Sequence, residues 1–488
     1  MNTENYILWA IAVPLIGSIG ILLAGKAPNL RETITLLTAV VMFTMVGTLI
    51  HTVVGGERPS VTLLEIFPGL NITFTVEPLG MLFGLIASGL WIVNSIYSIG
   101  YMRGNNEQNQ TRFYFFFAIA LASAVGVAFA GNMLTLFICY EILTLCTFPL
   151  VTHSGKPEAM KSGRTYLGIL LSTSIGLQLL AIIWTWHATG TLDFKAGGIF
   201  DGKVSGVAVS ILLFLYMYGI GKAALMPIHR WLPAAMVAPT PVSALLHAVA
   251  VVKAGVFTVV KVIVYIFGYE FLANSLTTNW LVYVAGFTIL AASIVALRQD
   301  NLKRRLAYST ISQLSYVVMS AAILAPLSVI GAVLHIAAHA VGKITLFFAA
   351  GSIYTAAHKT EVSQLNGIGR KMPWTMGAFA IASFSMIGVP PTAGFLSKWY
   401  ILMGALEAEH MFAIGVIIVS TLLNAGYFMP IVYNAFFKEA DDAGDPHADH
   451  GEAPMPVVIA LTATAIGTVL LFFFSGLPLE LAHQVAGK

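Results

Sequence analysis

The chain has 488 residues, of which 58% are hydrophobic and only 10% charged, and its mean hydropathy is +0.84. Soluble domains carry about 25% charged residues, so this composition excludes a soluble globular protein and indicates a polytopic membrane protein. A net charge of +3 spread over that length argues against a nucleic-acid partner.

In chain order, fourteen apolar runs lie near residues 6–24, 33–54, 78–100, 113–130, 132–152, 165–186, 207–226, 242–268, 279–297, 306–324, 327–355, 373–405, 411–437 and 455–477. Residues 1–5 hold Glu4 and no base, so the first run is expected to be a membrane helix rather than a cleaved signal. Only Ala130-Gly131-Asn132 separates the fourth and fifth runs, which calls for a tight turn. Cys139 and Cys146 share the fifth run. Seven residues apart on a helix, they are about 10 Å distant, too far for a disulfide, and read as small buried hydrophobes.

The seventh run, extended through its prolines to about Thr240, is too long for one straight crossing. Pro227 and Pro233 interrupt it and Lys222 precedes them, so it reads as a broken membrane helix with a lysine beside the break. Irregular backbone at membrane depth survives only where protein buries it or a wet cavity borders it. The twelfth run repeats the pattern with Pro390-Pro391 and Lys398. Two interrupted segments five runs apart point to a repeat over runs 4–8 and 9–13, and an odd number of spans per unit inverts one copy relative to the other. The expected fold is an all-α polytopic membrane protein of about fourteen transmembrane helices, with two inverted five-helix repeats and helices 7 and 12 broken. It is a single domain over 1–488. Helices 1–3 fall in 1–112, the first repeat in 113–268, the second in 279–437 and the last helix in 455–477.

Basic residues set the expected orientation. Sixteen lysines and arginines lie in odd-numbered connections: Lys26, Arg31, Arg103, Arg112, Lys156, Lys161, Arg164, Arg230, Arg298, Lys303, Arg304, Arg305, Lys359, Arg370, Lys371 and Lys438. Only three, Arg58, Lys195 and Lys203, lie in even-numbered ones. The bias puts the odd connections in the cytoplasm and both termini outside. The last connection, from Lys438 to Pro454, is acidic, carries His447 and His450, and reads as a solvated loop.

Five lysines, Lys222, Lys253, Lys261, Lys343 and Lys398, fall inside apolar runs, and Glu141 is the one acid at the middle of such a run. Each costs several kcal/mol in lipid and is by default a functional candidate. Glu141 and Lys222 are expected to pair, either as a switch coupled to proton movement or as a static packing contact. Lys253 and His247, six residues apart, suit proton hopping. Lys261, near the end of its run, reads as a lysine snorkelling to the interface, and Glu77 at the start of the third run can reach the interface too. His335, His339 and Lys343, spaced by four and four, form one stripe about 12 Å long on a helix. A proton wire is the favoured reading; packing, zinc or haem are the alternatives, and no HExxH or partner cysteine supports a metal. The first half of the tenth run, with Ser309, Ser312, Gln313 and Tyr316, can hold waters or bond neighbouring helices. No phosphate loop, nucleophile triad or dinucleotide fingerprint is present, so no enzyme activity, cofactor or metal is expected.

Taken together, Glu141-Ile142-Leu143, the block Gly221–Gly255, LAYSTISQLSY at Leu306–Tyr316, the stripe His335–Lys343 and GVPPTAGFLSK at Gly388–Lys398 resemble one family. It is the antiporter-like subunit family shared by Mrp cation/proton antiporters, respiratory complex I and membrane-bound hydrogenases. The resemblance spans roughly runs 3–13. It implies a subunit of a hetero-oligomeric complex in a prokaryotic plasma membrane, multi-pass, moving protons and exchanging them for Na+ or another cation. It implies a proton path through Glu141, Lys222, Lys253, His335, His339 and Lys343, with His247 nearby and Lys398 terminal. The compact length and the ending Leu423–Phe437 look most like the D subunit of an Mrp antiporter. Lys398, where one complex I subunit has glutamate, and the short stretch after the last run weaken complex I assignments. The alternative is a proton-pumping subunit of a complex I-like, hydrogenase or inorganic-carbon-uptake complex.

Overall fold

The structure, a computed structural model, describes residues 3–275, 278–440 and 450–488. The first half holds α1 (Thr3–Leu23), α2 (Pro28–Val54), a hairpin of β1 (Ser60–Phe67) and β2 (Leu70–Thr75), α3 (Pro78–Gly104), α4 (Gln110–Ala128), α5 (Met133–Val151), α6 (Pro157–Thr189), α7 (Val207–Gly219) and α8 (Val242–Phe267). The second holds α9 (Trp280–Arg298), α10 (Leu302–Ala322), α11 (Pro326–Ala357), α12 (Pro373–Ile387), α13 (Ala393–Glu407), α14 (Met411–Phe437) and α15 (Met455–Phe473), then a short α16 (Gly476–Val485). Among the described residues eleven helices are long and apolar enough to cross a membrane. Each falls on one of the fourteen expected runs. The other three are the two broken runs and α10, which is continuous but opens with Lys303, Arg304 and Arg305 and is polar along its first half. The protein is a multi-pass integral membrane protein.

Both breaks occur where the prolines stand. α7 ends at Gly219, a tight turn Gly221–Ala223 follows, and short helical turns carry the chain to Val237. α12 ends at Ile387 and the chain restarts as α13 at Ala393. The peptides before Pro227 and Pro391 are both cis. α8 and α11 form the centre and are buried over all or nearly all their length. A side chain at Gly255 on α8 would stand 2.4 Å from the Ala223 nitrogen, so glycine there lets α8 run against the backbone of the first break. The turn between α4 and α5 is as tight as expected: Asn132 caps α5 by accepting from the Thr135 amide at 2.8 Å.

The connections sort to two ends. At one end the hairpin, the α4–α5 turn and the α6–α7 connection are joined by backbone bonds: Thr75 to Phe129, Gly131 to Thr73, Phe194 to Gly131 and Lys195 to Tyr265. These are the basic-poor connections. At the other end the basic-rich connections enclose a cavity of about 350 Å³ lined by Glu107, Lys156, Thr240, Lys303 and Lys359 among others. The hairpin is an addition to the helical expectation. Its two-residue turn, Pro68-Gly69, places Gly69 at φ +82°, the glycine-favoured region that closes hairpins. Residues 441–449, which include His447 of the acidic last connection, lie outside the described residues.

Candidate functional site

In the first half, Lys222 is fully buried in the turn that follows α7. Its ammonium donates to the Tyr140 carbonyl at 2.7 Å and to the Thr144 hydroxyl at 2.6 Å, and sits 3.0 Å from the centre of the Tyr140 ring. The Lys222 amide donates to the Tyr140 hydroxyl at 3.1 Å. Lys222 therefore docks on α5 beside Glu141 but not on it, and among the described residues no ion pair joins the two. The expected pair is therefore not a contact ion pair, although Glu141 is near enough to act on Lys222 electrostatically, and helix geometry gives the reason. Tyr140 and Thr144, four apart, share the face turned to the break, while Glu141 is rotated about 100° from Tyr140. Glu141 lies half-buried beside exposed Ile142 and Leu145, its two carboxylate oxygens covered and without a hydrogen-bond partner.

His247 is fully buried on α8, inside a π-helical stretch, Val242–Ala250, of the kind often found at functional sites. Its ring lies 6.2 Å from Tyr166 and 6.3 Å from Trp231, and neither ring nitrogen has a hydrogen-bond partner. Trp231 in turn donates to the Gly221 carbonyl at 3.0 Å, tying the second part of the broken segment to the first.

In the second half more of the candidate groups contact one another. Lys253 on α8 meets Nδ1 of His339 on α11. His335, one turn earlier on α11, has its ring 6.0 Å from His339 and its Nδ1 2.9 Å from the Ser397 hydroxyl on α13. The neighbouring Lys398 donates to the Met386 and Ile387 carbonyls at 2.8 and 3.0 Å, the last residues of α12, and lies 4.9 Å from the Tyr316 ring centre. Those carbonyls lack helical partners and sit at the negative end of the helix dipole, so a lysine is well placed there. Lys343, one turn beyond His339, donates to Ser309 of α10 at 2.7 Å. The Tyr427 hydroxyl of α14 lies within hydrogen-bond distance of the same hydroxyl, at 3.0 Å, and donates to the Asn424 side-chain oxygen; the Asn424 amide donates to the Met386 carbonyl at 3.3 Å. His335, His339 and Lys343 thus share one buried face, and their two ends converge on the second break.

Lys261 departs from expectation. It does not snorkel: it is fully buried and ion-paired with Glu77, itself only 8% exposed, because the α6–α7 connection folds over this end of α8. Tyr140, Thr144, Ser397, Asn424 and Tyr427 also belong to the site but were not singled out by the sequence. The available signal was a polar group inside an apolar run, which ordinary interhelical bonding produces as well. At the basic-rich end, Lys303 donates to the Ala238 carbonyl at 2.6 Å on the cavity wall. Burial pushes the Glu107 carboxyl up there, against the pull of Lys156 and Lys303. Burial first and Arg112 second hold the adjacent His153 down at about 4.

Residues 130–424 match the family described as NADH:quinone oxidoreductase/Mrp antiporter, TM. Over 420 residues the chain is 32% identical to NADH-quinone oxidoreductase subunit N of Desulforudis audaxviator, covering 84% of this chain and 83% of that one. It is 31% identical over 403 residues to NADH-quinone oxidoreductase subunit L of Rickettsia bellii and over 392 residues to a probable K(+)/H(+) antiporter subunit of Rhizobium meliloti. The matches span only 60% and 38% of those two longer proteins. The fold matches a chain in the structure of the Mrp complex from Dietzia sp. DQ12-45-1b with a TM-score of 0.88 at 20% identity, over 100% of this chain and 97% of that one. It also matches a chain of the archaeal membrane-bound sulfane sulfur reductase with a TM-score of 0.85 at 21% identity, over 99% and 97%.

Proposed function

The chain belongs to the NADH:quinone oxidoreductase/Mrp antiporter transmembrane family, and from that premise we propose that it carries protons as one subunit of a multi-subunit Mrp-type cation/proton antiporter. The observation that carries this reading is the buried line Lys253–His339–His335–Ser397 together with the branch Lys343–Ser309–Tyr427–Asn424, both converging on the broken helix where Lys398 sits. Lysine, histidine and hydroxyl groups in sequence can each bind and release a proton, and burial among helices isolates them from both bulk phases. Lys222 and Glu141 form the other end of the path, and His247 lies beside it on the side of the basic-rich cavity. Metal or haem is not part of this reading. A sodium ion needs several oxygen ligands at once, and this line is built of lysines and histidines, so the cation is assigned to partner subunits of the complex. The charge bias supports an orientation with the basic-rich end in the cytoplasm and both termini outside.

The test is ΔpH-linked exchange in vesicles holding the assembled complex. His339→Ala is expected to leave assembly intact and to lower exchange about 100-fold or more. Exchange at the unsubstituted rate in that variant overturns the proposed path. A second reading, a proton-pumping subunit of a redox-linked complex, is favoured by the near-full-length match to an NADH-quinone oxidoreductase subunit. Sodium-dependent exchange in vesicles with no electron donor supports the antiporter; proton movement only on adding a donor supports the redox-linked complex.

A further inference from the structure

Of the five lysines within apolar runs, four contact carbonyls, hydroxyls or a histidine, and Lys261 alone meets a carboxylate. Its ammonium is fully buried, paired with Glu77 and ringed by Phe194, Tyr265 and Phe257 at 4.0, 5.0 and 5.8 Å from their centres. Glu77 immediately precedes Pro78, the first residue of α3, on the basic-poor side. The cover over the pair is anchored: Lys195 donates to the Tyr265 carbonyl at 3.2 Å and Ile199 to the Ile266 carbonyl at 2.9 Å.

Three further observations give this pair a direction. Lys253 and Lys261 lie on the same α-helical stretch, Val251–Lys261, about 12 Å apart along its axis. That stretch is bounded on both sides by π-helical turns, Val242–Ala250 and Val262–Phe267, the second starting at the residue after Lys261. Between the lysines only Thr258 is polar; Val256, Phe257, Val259 and Val260 are fully buried and apolar. Glu77 keeps a narrow exposure where Lys261 has none, so the carboxylate is the member of the pair that faces the outer water. Stability alone does not account for the pair, since apolar side chains of similar volume commonly replace a buried ion pair without loss.

Resting on the reading of the chain as a proton carrier, we propose that Glu77 and Lys261 form an outer proton-exchange site at the far end of α8, held apart from Lys253 by an apolar gate of two helical turns. In the forward step the Lys261 ammonium gives its proton to the Glu77 carboxylate, leaving a neutral amine and a carboxylic acid. The acid then releases the proton to outer water. The amine regains one from the Lys253 side when water enters the gate. Only N–H and O–H bonds change, and the site returns to its starting charge. The bounding π-turns mark where α8 can shift in register to admit that water.

The test uses the assembled complex in vesicles of known orientation, with ΔpH-linked exchange measured against outer pH. The double variant E77M/K261M removes both charges and keeps the volume, and Lys261→Arg keeps the ion pair but holds its proton permanently. The proposal expects both to assemble normally and to lose exchange about tenfold or more. It expects Glu77→Asp to retain part of the activity and to shift the outer-pH profile. A purely structural pair predicts the opposite: exchange within about twofold of the unsubstituted complex in both variants, which overturns the proposal. Should the double variant fail to assemble, Lys261→Arg decides alone. An unsubstituted complex that moves no protons overturns the underlying functional reading instead, a result distinct from failure of this site.

Discussion

The two breaks begin from the same sequence device, a lysine next to prolines in an overlong apolar run, and they hold that lysine differently. Lys398 caps its own broken helix: it bonds the last carbonyls of α12 and so stays within the segment that is interrupted. Lys222 reaches across to a different helix and holds the Tyr140 carbonyl and Thr144 hydroxyl of α5. Around Lys398 several polar side chains are hydrogen-bonded to one another, although the Tyr316 hydroxyl and the Nε2 atoms of His335 and His339 have no partner among the described residues. Around Lys222 neither Glu141 nor His247 has a hydrogen-bond partner. A linked set of hydrogen bonds passes a proton with little rearrangement. Two unpartnered groups flanking a fixed charge must wait for water or a motion. On the proposed proton-carrying reading, the more extensively bonded second half suits conduction and the first half suits control.

Lys398 provides the strongest way to break this contrast, with the largest expected effect. Its buried ammonium has no carboxylate partner among the described residues. If Lys398 takes up and releases the proton, Lys398→Ala and Lys398→Arg both lower ΔpH-linked exchange by about 100-fold, or ~3 kcal/mol in the barrier, because guanidinium stays protonated. If it is only a fixed charge at the end of α12, arginine keeps most of the activity and alanine loses it. Near-normal exchange in Lys398→Arg removes the residue from the path and moves the terminal proton-carrying role to the first half.

Glu141 and Lys222 sharpen the other side. A buried pair in direct contact loses several kcal/mol when one partner is removed, and its double-mutant cycle shows strong coupling. Here the two groups lie on different faces of the contact, and Lys222 keeps two neutral acceptors whether or not Glu141 is charged. Glu141→Gln is expected to lower exchange about tenfold, and the cycle with Lys222→Met to give a coupling below about 1 kcal/mol in assembled complex. A coupling of about 3 kcal/mol or more would mean that the ions meet during turnover, and the contrast between the halves would then hold only at rest.

The sequence made some of these features readable and hid others for physical reasons. The breaks were readable because proline and a lone lysine are both expensive in an apolar run, so their coincidence is informative. The stripe His335, His339, Lys343 was readable because a spacing of four fixes a shared face without knowledge of the neighbours. The Glu141–Lys222 geometry was not, since it depends on how α5 is rotated against the break. Lys261 misled because its distance from the run's centre says nothing about a connection, here the one carrying Phe194, that folds over it. The β1–β2 hairpin was lost in a stretch counted only as a connection. Asn424 and Tyr427 carry polar groups that ordinary helix packing also uses, and only the shared contacts with Ser309 and Met386 single them out.

The smallest effect is expected from trimming one hydroxyl in each half. Tyr427 bridges Ser309 and Asn424, so Tyr427→Phe interrupts the branch from Lys343 to the α12 carbonyls while keeping the ring that packs on Phe428. A neutral buried hydrogen bond is worth about 1 kcal/mol, which corresponds to a fall in exchange of about fivefold. Thr144→Val removes one of two acceptors from Lys222 and leaves the Tyr140 carbonyl in place. Exchange should then change by less than about twofold, with the cost, again ~1 kcal/mol, appearing in the stability of the complex instead. Measuring exchange and thermal stability for both variants separates a conducting bond from an anchoring one. If Thr144→Val slows exchange as much as Tyr427→Phe does, the contacts of Lys222 belong to the conducting path, and the division between a conducting half and a controlling half is wrong.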